Sequence, residues 1–143
     1  MSSKYHYIGC FLQREELFAR VDAISRKHLF RMIPAPHVTF VFCPDQVDES
    51  LFGEKIRVRA TGYGNNGANE GLEVKLYSAN RTIAGMIDRI EIPHITLSVG
   101  KGAKPYDTRF LKFHPVEPFE LEGVFGGYIE GGTVIINRER RDL

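Results

Sequence analysis

The feature that most constrains this chain is a short segment that occurs twice, Pro-His-Val-Thr-Phe at 36–40 and Pro-His-Ile-Thr-Leu at 93–97, offset by 94 − 37 = 57 residues. In each copy a proline precedes histidine, a β-branched residue, threonine and a large apolar residue, a composition that favours a strand punctuated at its start. Side chains two apart on a strand share a face. His37 and Thr39 therefore project together with Val38 and Phe40 turned to the core, and His94 and Thr96 do the same with Ile95 and Leu97 behind them. From average composition a histidine meets apolar-Thr-apolar roughly once in two hundred cases, yet two of the five histidines do so here. His6, His28 and His114 lack the pattern, which assigns them surface or boundary roles.

The rest of the chain provides a setting for a duplicated unit. Residues 5–12 read as a strand, and at 14–28 Leu17, Phe18, Val21 and Ile24 recur at helical spacing against Arg14, Glu15, Arg20, Asp22 and Arg26. The first motif strand occupies 37–43, and 55–63 alternates as a strand should. Residues 64–71, rich in Gly and Asn, read as a turn before the sheet resumes at 72–77. A second helix is expected over 80–90, the second motif strand over 93–99, and a polar loop over 100–108. Further strands fall at 119–125 and 133–136, and the charged end at 138–143 is expected to fray. Each motif follows a helix and a short connection, so one domain spanning 1–143 is expected, with two related lobes about an approximate two-fold axis. A chain of 143 residues, 43% hydrophobic, is long enough to bury a core without disulfides or structural metal.

Charge excludes some partners. Nineteen basic residues against 18 acidic ones give a formal net charge of +1, too little for broad attraction to long nucleic acid or a membrane surface. An anionic ligand must be met by a local site. The opening MSSKYHYIGC lacks the apolar run of a signal peptide and no stretch is long enough to span a bilayer, so a cytoplasmic protein without membrane partners is expected. Cys10 and Cys43 lie in apolar strand-like runs without CxxC spacing and read as buried free thiols.

Two histidines and two threonines supply what phosphodiester cleavage needs: a base for the attacking oxygen, an acid for the leaving oxygen, and donors for the non-bridging oxygens. Imidazole suits both proton roles because its ordinary pKa lies near neutrality. The paired His-x-Thr-x strands, His37 with Thr39 and His94 with Thr96, resemble the signature of the 2H phosphoesterase superfamily, which includes RNA-end phosphodiesterases and LigT-like proteins. That resemblance implies a bilobal α+β fold, with two antiparallel sheets flanked by helices around a central cleft. It also implies no required metal or other cofactor, and substrates that are RNA ends or nucleotides with 2′,3′-cyclic phosphates or 2′–5′ linkages. The expected activity is a cyclic phosphodiesterase, with a 2′-phosphate product.

Around that quartet, Lys101 and Lys104 in the GKGAKP loop at 100–105 are candidates to reach the phosphate, and Tyr7, Phe11, Phe42 and Tyr128 are candidates to stack a base. The loop is not a Walker A sequence, and no HExxH, HxxxH or CxxC spacing points to a metal. The competing reading is a non-catalytic module that binds a nucleotide or RNA end in the same His/Thr cleft. No protein partner is implied by the sequence.

Overall fold

In the segment after the first motif, alternation decides orientation: Ile56, Val58 and Ala60 are buried while Lys55, Arg57 and Arg59 face solvent. The computed structural model describes residues 4–129 and 131–136. Ten regular elements follow one another as β1 (Tyr5–Phe11), α1 (Arg14–Asp22), β2 (Arg31–Met32), β3 (His37–Phe42), β4 (Lys55–Asn65), β5 (Asn69–Tyr77), α2 (Arg81–Asp88), β6 (His94–Val99), β7 (His114–Ile129) and β8 (Thr133–Ile135). Short 3-10 helices stand at Glu49–Leu51 and Pro105–Phe110.

The fold is α+β, as expected, but the two separate sheets are replaced by one antiparallel sheet in the order β2-β6-β5-β4-β7-β1-β3, with β8 on β7. The reason is the length of β7. Its 16 residues pair with β4 from His114 to Val124 and with β1 from Val124 to Ile129, so one strand serves both halves. The motif strands β3 and β6 stand far apart in this order, yet the sheet curves until they come within 8 Å, Cα to Cα.

Both helices cover the same face. Leu17 and Val21 of α1 and Ile83 of α2 are fully buried in one cluster with Val38, Ile56, Val58, Leu72, Ile95 and Leu97 of the sheet. Each such side chain contributes about 1.5–3 kcal/mol through removal from water. Among the described residues no helix is long and apolar enough to cross a membrane.

Two expectations shift, and a third lies outside the described residues. The strands run on through the segment expected to be a turn, leaving only 66–68, where Asn65 and Asn66 side chains accept from the main chain and Gly67 takes φ +84°. Cys10 is fully buried, but Cys43 is exposed because it leaves β3 with φ 47°, ahead of Pro44. The charged end at 138–143 lies outside the described residues.

Helix α1 stops at Asp22 rather than continuing to residue 28, and His28 explains why. Its Nε2 lies 2.8 Å from Asp22 Oδ1 and its Nδ1 lies 2.9 Å from Oε1 of Glu70, a fully buried carboxylate on β5. Six residues along a helix are turned about 240° apart, so a continuous helix would carry His28 away from Asp22. Glu70 also accepts from Ser98 Oγ at 2.7 Å and from the Tyr63 hydroxyl, and the Leu29 amide donates to Ser98 Oγ at 2.9 Å. The cluster ties the chain after α1 to β4, β5 and β6.

Burial opposes a charge on His28, but the hydrogen bonds to Asp22 and Glu70 outweigh it and raise its pKa above the ordinary 6.5. A raised native pKa gives stability that is present below 6.5 and lost as pH rises through the native value. Urea unfolding of wild type and His28→Gln should therefore differ most at acidic pH, the gap narrowing above 6.5. A gap constant from pH 5.5 to 9 would show that the charge on His28 contributes nothing.

Candidate active site

The two motif strands are alike in backbone as well as in sequence. On the first, Phe11 stands opposite His37, Cys10 opposite Val38 and Gly9 opposite Thr39; pairing then jumps to Ile8 opposite Val41 and leaves Phe40 without a partner. On the second, Glu73 stands opposite His94, Leu72 opposite Ile95 and Gly71 opposite Thr96, and pairing jumps to Glu70 opposite Ser98, leaving Leu97 over. The prolines match too: Leu12 N–H donates to Pro36 O at 3.0 Å and Val74 N–H to Pro93 O at 3.2 Å. Each motif strand thus carries a β-bulge at the residue after threonine.

Glycine makes the bulge possible. A Cβ on Gly9 would lie 2.0 Å from the Val38 carbonyl oxygen, and one on Gly71 2.7 Å from the Ile95 carbonyl oxygen. Both contacts are with backbone that cannot step aside. The extra residue also changes which face follows: Phe42 emerges on the side of His37 and Thr39, while Ser98 turns to the core and meets Glu70.

Each imidazole is held through the same atom. His37 Nδ1 lies 3.0 Å from Ala35 O and His94 Nδ1 lies 2.9 Å from Ile92 O, in both cases the carbonyl two residues back. An Nδ1–H donating to that carbonyl leaves Nε2 as the nitrogen available for proton transfer. Tyr7 stacks on the His37 ring at 4.4 Å with its hydroxyl 3.3 Å from Nδ1, and Tyr128 stacks on Tyr7 at 4.9 Å. Burial pushes the His37 pKa down to about 4 against the pull of the Ala35 carbonyl, and the nearby His94 ring lowers it further. His94 is lowered as well, by burial first; the Ile92 carbonyl opposes this and the Arg109 cation adds to it.

The quartet named from sequence gathers on one face. Thr39 is half-buried beside His37, and the Thr96 hydroxyl donates to Pro105 O at 2.9 Å, which fastens the 3-10 helix Pro105–Phe110 against β6. That helix is anchored again where the Asn69 amide donates to Lys104 O at 2.8 Å and to Thr108 Oγ1 at 3.1 Å.

The supporting residues fare differently. Lys101 and Lys104 are exposed, and among the described residues neither ammonium forms an ion pair. Tyr7 and Phe11 are only 8% and 6% exposed, their rings taken up by His37 and each other, so they support the histidine and offer no open platform to a base. Tyr128 is half-buried in the same stack. Phe42 is 50% exposed and meets Tyr106 of the 3-10 helix edge-to-face at 5.7 Å, across the gap between the two motif strands. His6 is exposed, its ring edge-on to Tyr7, Phe42 and Tyr128.

Arg109 is the residue that sequence reading missed. The available signal was Tyr-x-x-Arg after Pro105, because side chains three apart eclipse in a 3-10 helix. Among the described residues no three His, Cys, Asp or Glu side chains are placed to hold a metal ion. Two imidazoles with Nε2 available, hydroxyls beside them and a guanidinium nearby form an arrangement suited to moving protons around an anion. No protein-family model matches the chain, and a search of curated proteins finds no significant match.

Gly9→Ala and Gly71→Ala should each lower unfolding free energy by about 1–3 kcal/mol, the usual cost of overpacking. Gly85→Ala, where a Cβ meets nothing within 4 Å, should leave stability unchanged or raise it. Urea titrations decide; equal stability of all three variants would show that the bulges tolerate a side chain.

Proposed function

We propose that this chain is a metal-independent phosphodiesterase of the 2H phosphoesterase kind, acting on RNA ends or nucleotides that carry a 2′,3′-cyclic phosphate or a 2′–5′ linkage. The observation that carries this reading is the matched pairing of β3 and β6. Both imidazoles are held through Nδ1 by the carbonyl two residues back, on strands that approach each other with a threonine beside each ring. The same match supports reading β1-α1-β3 and β5-α2-β6 as two related lobes about an approximate two-fold axis.

In this reading His37, neutral through the working range, is the base. It takes a proton from water through Nε2 as the water oxygen bonds to phosphorus. The bond from phosphorus to one ribose oxygen breaks, and that oxygen receives the proton carried by Nε2 of His94. A phosphomonoester results, with the phosphate on the 2′ oxygen by family likeness. Proton exchange with solvent resets the pair. His94 is suited to the acid role because a bound phosphate anion favours its imidazolium against the lowering by burial. Thr39 and Thr96 donate to non-bridging oxygens, Thr96 exchanging its bond to Pro105 O for one to phosphate.

A panel of 2′,3′-cyclic nucleotides, 3′,5′-cyclic nucleotides and 2′–5′ oligonucleotides tests the proposal. His37→Ala and His94→Ala should each lose about 10²–10⁴ in turnover, with the double variant no worse than a few-fold beyond the weaker single. Activity should survive EDTA, and kcat/KM should fall on the acid side only towards about pH 4, where His37 takes up a proton. Full turnover in His37→Ala would remove the proposal. Nucleotide binding that needs both histidines, without turnover of any substrate, would leave a binding module instead.

A further inference from the structure

Arg109 has surroundings unlike those of an ordinary surface arginine. Its guanidinium carbon lies 3.3 Å from the Tyr106 ring centroid and 4.0 Å from that of Phe110, and Nη1 lies 3.3 Å from the Tyr106 carbonyl oxygen. Among the described residues no carboxylate comes within ion-pair distance of it. The two rings are themselves 52% and 67% exposed, so their apolar surface is spent on the cation instead of the core.

The helix carrying this group cannot drift from the site. Thr96 holds its first residue, Asn69 holds Thr108, and Thr108 fills the space over Gly71, where a Cβ would meet Thr108 Cγ2 at 2.3 Å. Tyr106 also reaches Phe42 on the other motif strand. A cation carried on an anchored helix, packed against two rings and without an acidic partner keeps the N–H groups not given to the Tyr106 carbonyl for an incoming anion. Guanidinium edges match two phosphate oxygens at once, which an ammonium cannot do.

We infer that Arg109, held by Tyr106 and Phe110, is the phosphate-binding cation of this site, contacting the non-bridging oxygens of a nucleotide phosphate beside His94. Its part in turnover rests on the phosphodiesterase reading; its part in binding does not. As a binding group it replaces Lys101 and Lys104, which the sequence nominated. As a neighbour it also adds to the lowering of the His94 pKa that burial begins; His94 is otherwise faced by His37 from β3 and, across the strand pair, by Glu73 from β5.

The probes are inorganic phosphate and a nucleoside 2′-monophosphate, titrated by NMR or calorimetry against wild type, Arg109→Gln, Arg109→Lys and Tyr106→Ala, alongside kcat and KM on the cyclic nucleotide. Arg109→Gln should weaken nucleotide binding about ten- to hundredfold, the range for loss of charge-assisted hydrogen bonds. Arg109→Lys should recover only part of it, and Tyr106→Ala should weaken binding less, by freeing the guanidinium. Loss of the cation should also move the alkaline limb of kcat/KM to higher pH in Arg109→Gln but not in Arg109→Lys, a response that a merely structural residue would not give.

If wild type turns over no phosphodiester yet binds the monophosphate in an Arg109-dependent way, the phosphodiesterase reading fails and this assignment stands. If His37→Ala and His94→Ala abolish turnover while folded Arg109→Gln and Arg109→Lys bind and react within twofold of wild type, the assignment fails alone. Failure of wild type to bind either probe overturns it as well.

Discussion

The Val38 carbonyl stands where a side chain on residue 9 would begin, and the Ile95 carbonyl does the same at residue 71. Much else follows from that close approach. Each contact marks a bulge, and each bulge adds one residue to a motif strand just past its threonine. Histidine and threonine keep a common face before the bulge, and the alternation reverses after it. Phe42 is thereby delivered to the face of the histidines, and Ser98 to the core, where it donates to the buried Glu70. The polar cluster under α1 and the aromatic rim of the site are consequences of one backbone irregularity made twice.

Equivalent backbones do not make equivalent histidines. His37 packs in a column of rings with Tyr7 and Tyr128 behind it, and desolvation there dominates its proton affinity. At His94 the residue across the strand pair is Glu73 where the first half has Phe11, and a guanidinium from the 3-10 helix contributes to the local field. The opposite proton roles proposed for the pair require groups whose surroundings differ. Here the motif supplies the identical part, and the neighbouring strand and helix supply the difference.

The buried Glu70 shows how the fold handles a polar group in its interior. A carboxylate taken out of water is costly unless its oxygens are satisfied. Ser98, Tyr63 and His28 meet that need from three separate segments. Because those donors come from β6, β4 and the connection after α1, satisfying one carboxylate also fixes the path of the chain that enters the first motif strand.

Read alone, the sequence determined which segments are strands and helices at their centres, that His37 shares a strand face with Thr39 and His94 with Thr96, and which apolar residues stand behind them. These depend on period and composition, which are local. The tertiary structure alone decided that α1 ends at Asp22, that Gly71 belongs to a strand instead of a turn, that β7 joins both halves into one sheet, and that the Arg109 cation acts on His94. Each of these turns on a contact between distant segments, such as His28 with Glu70 or Thr96 with Pro105, or on the space left over one backbone atom. Periodicity records which way a side chain points along its own strand, and it carries no information about what another strand has placed opposite.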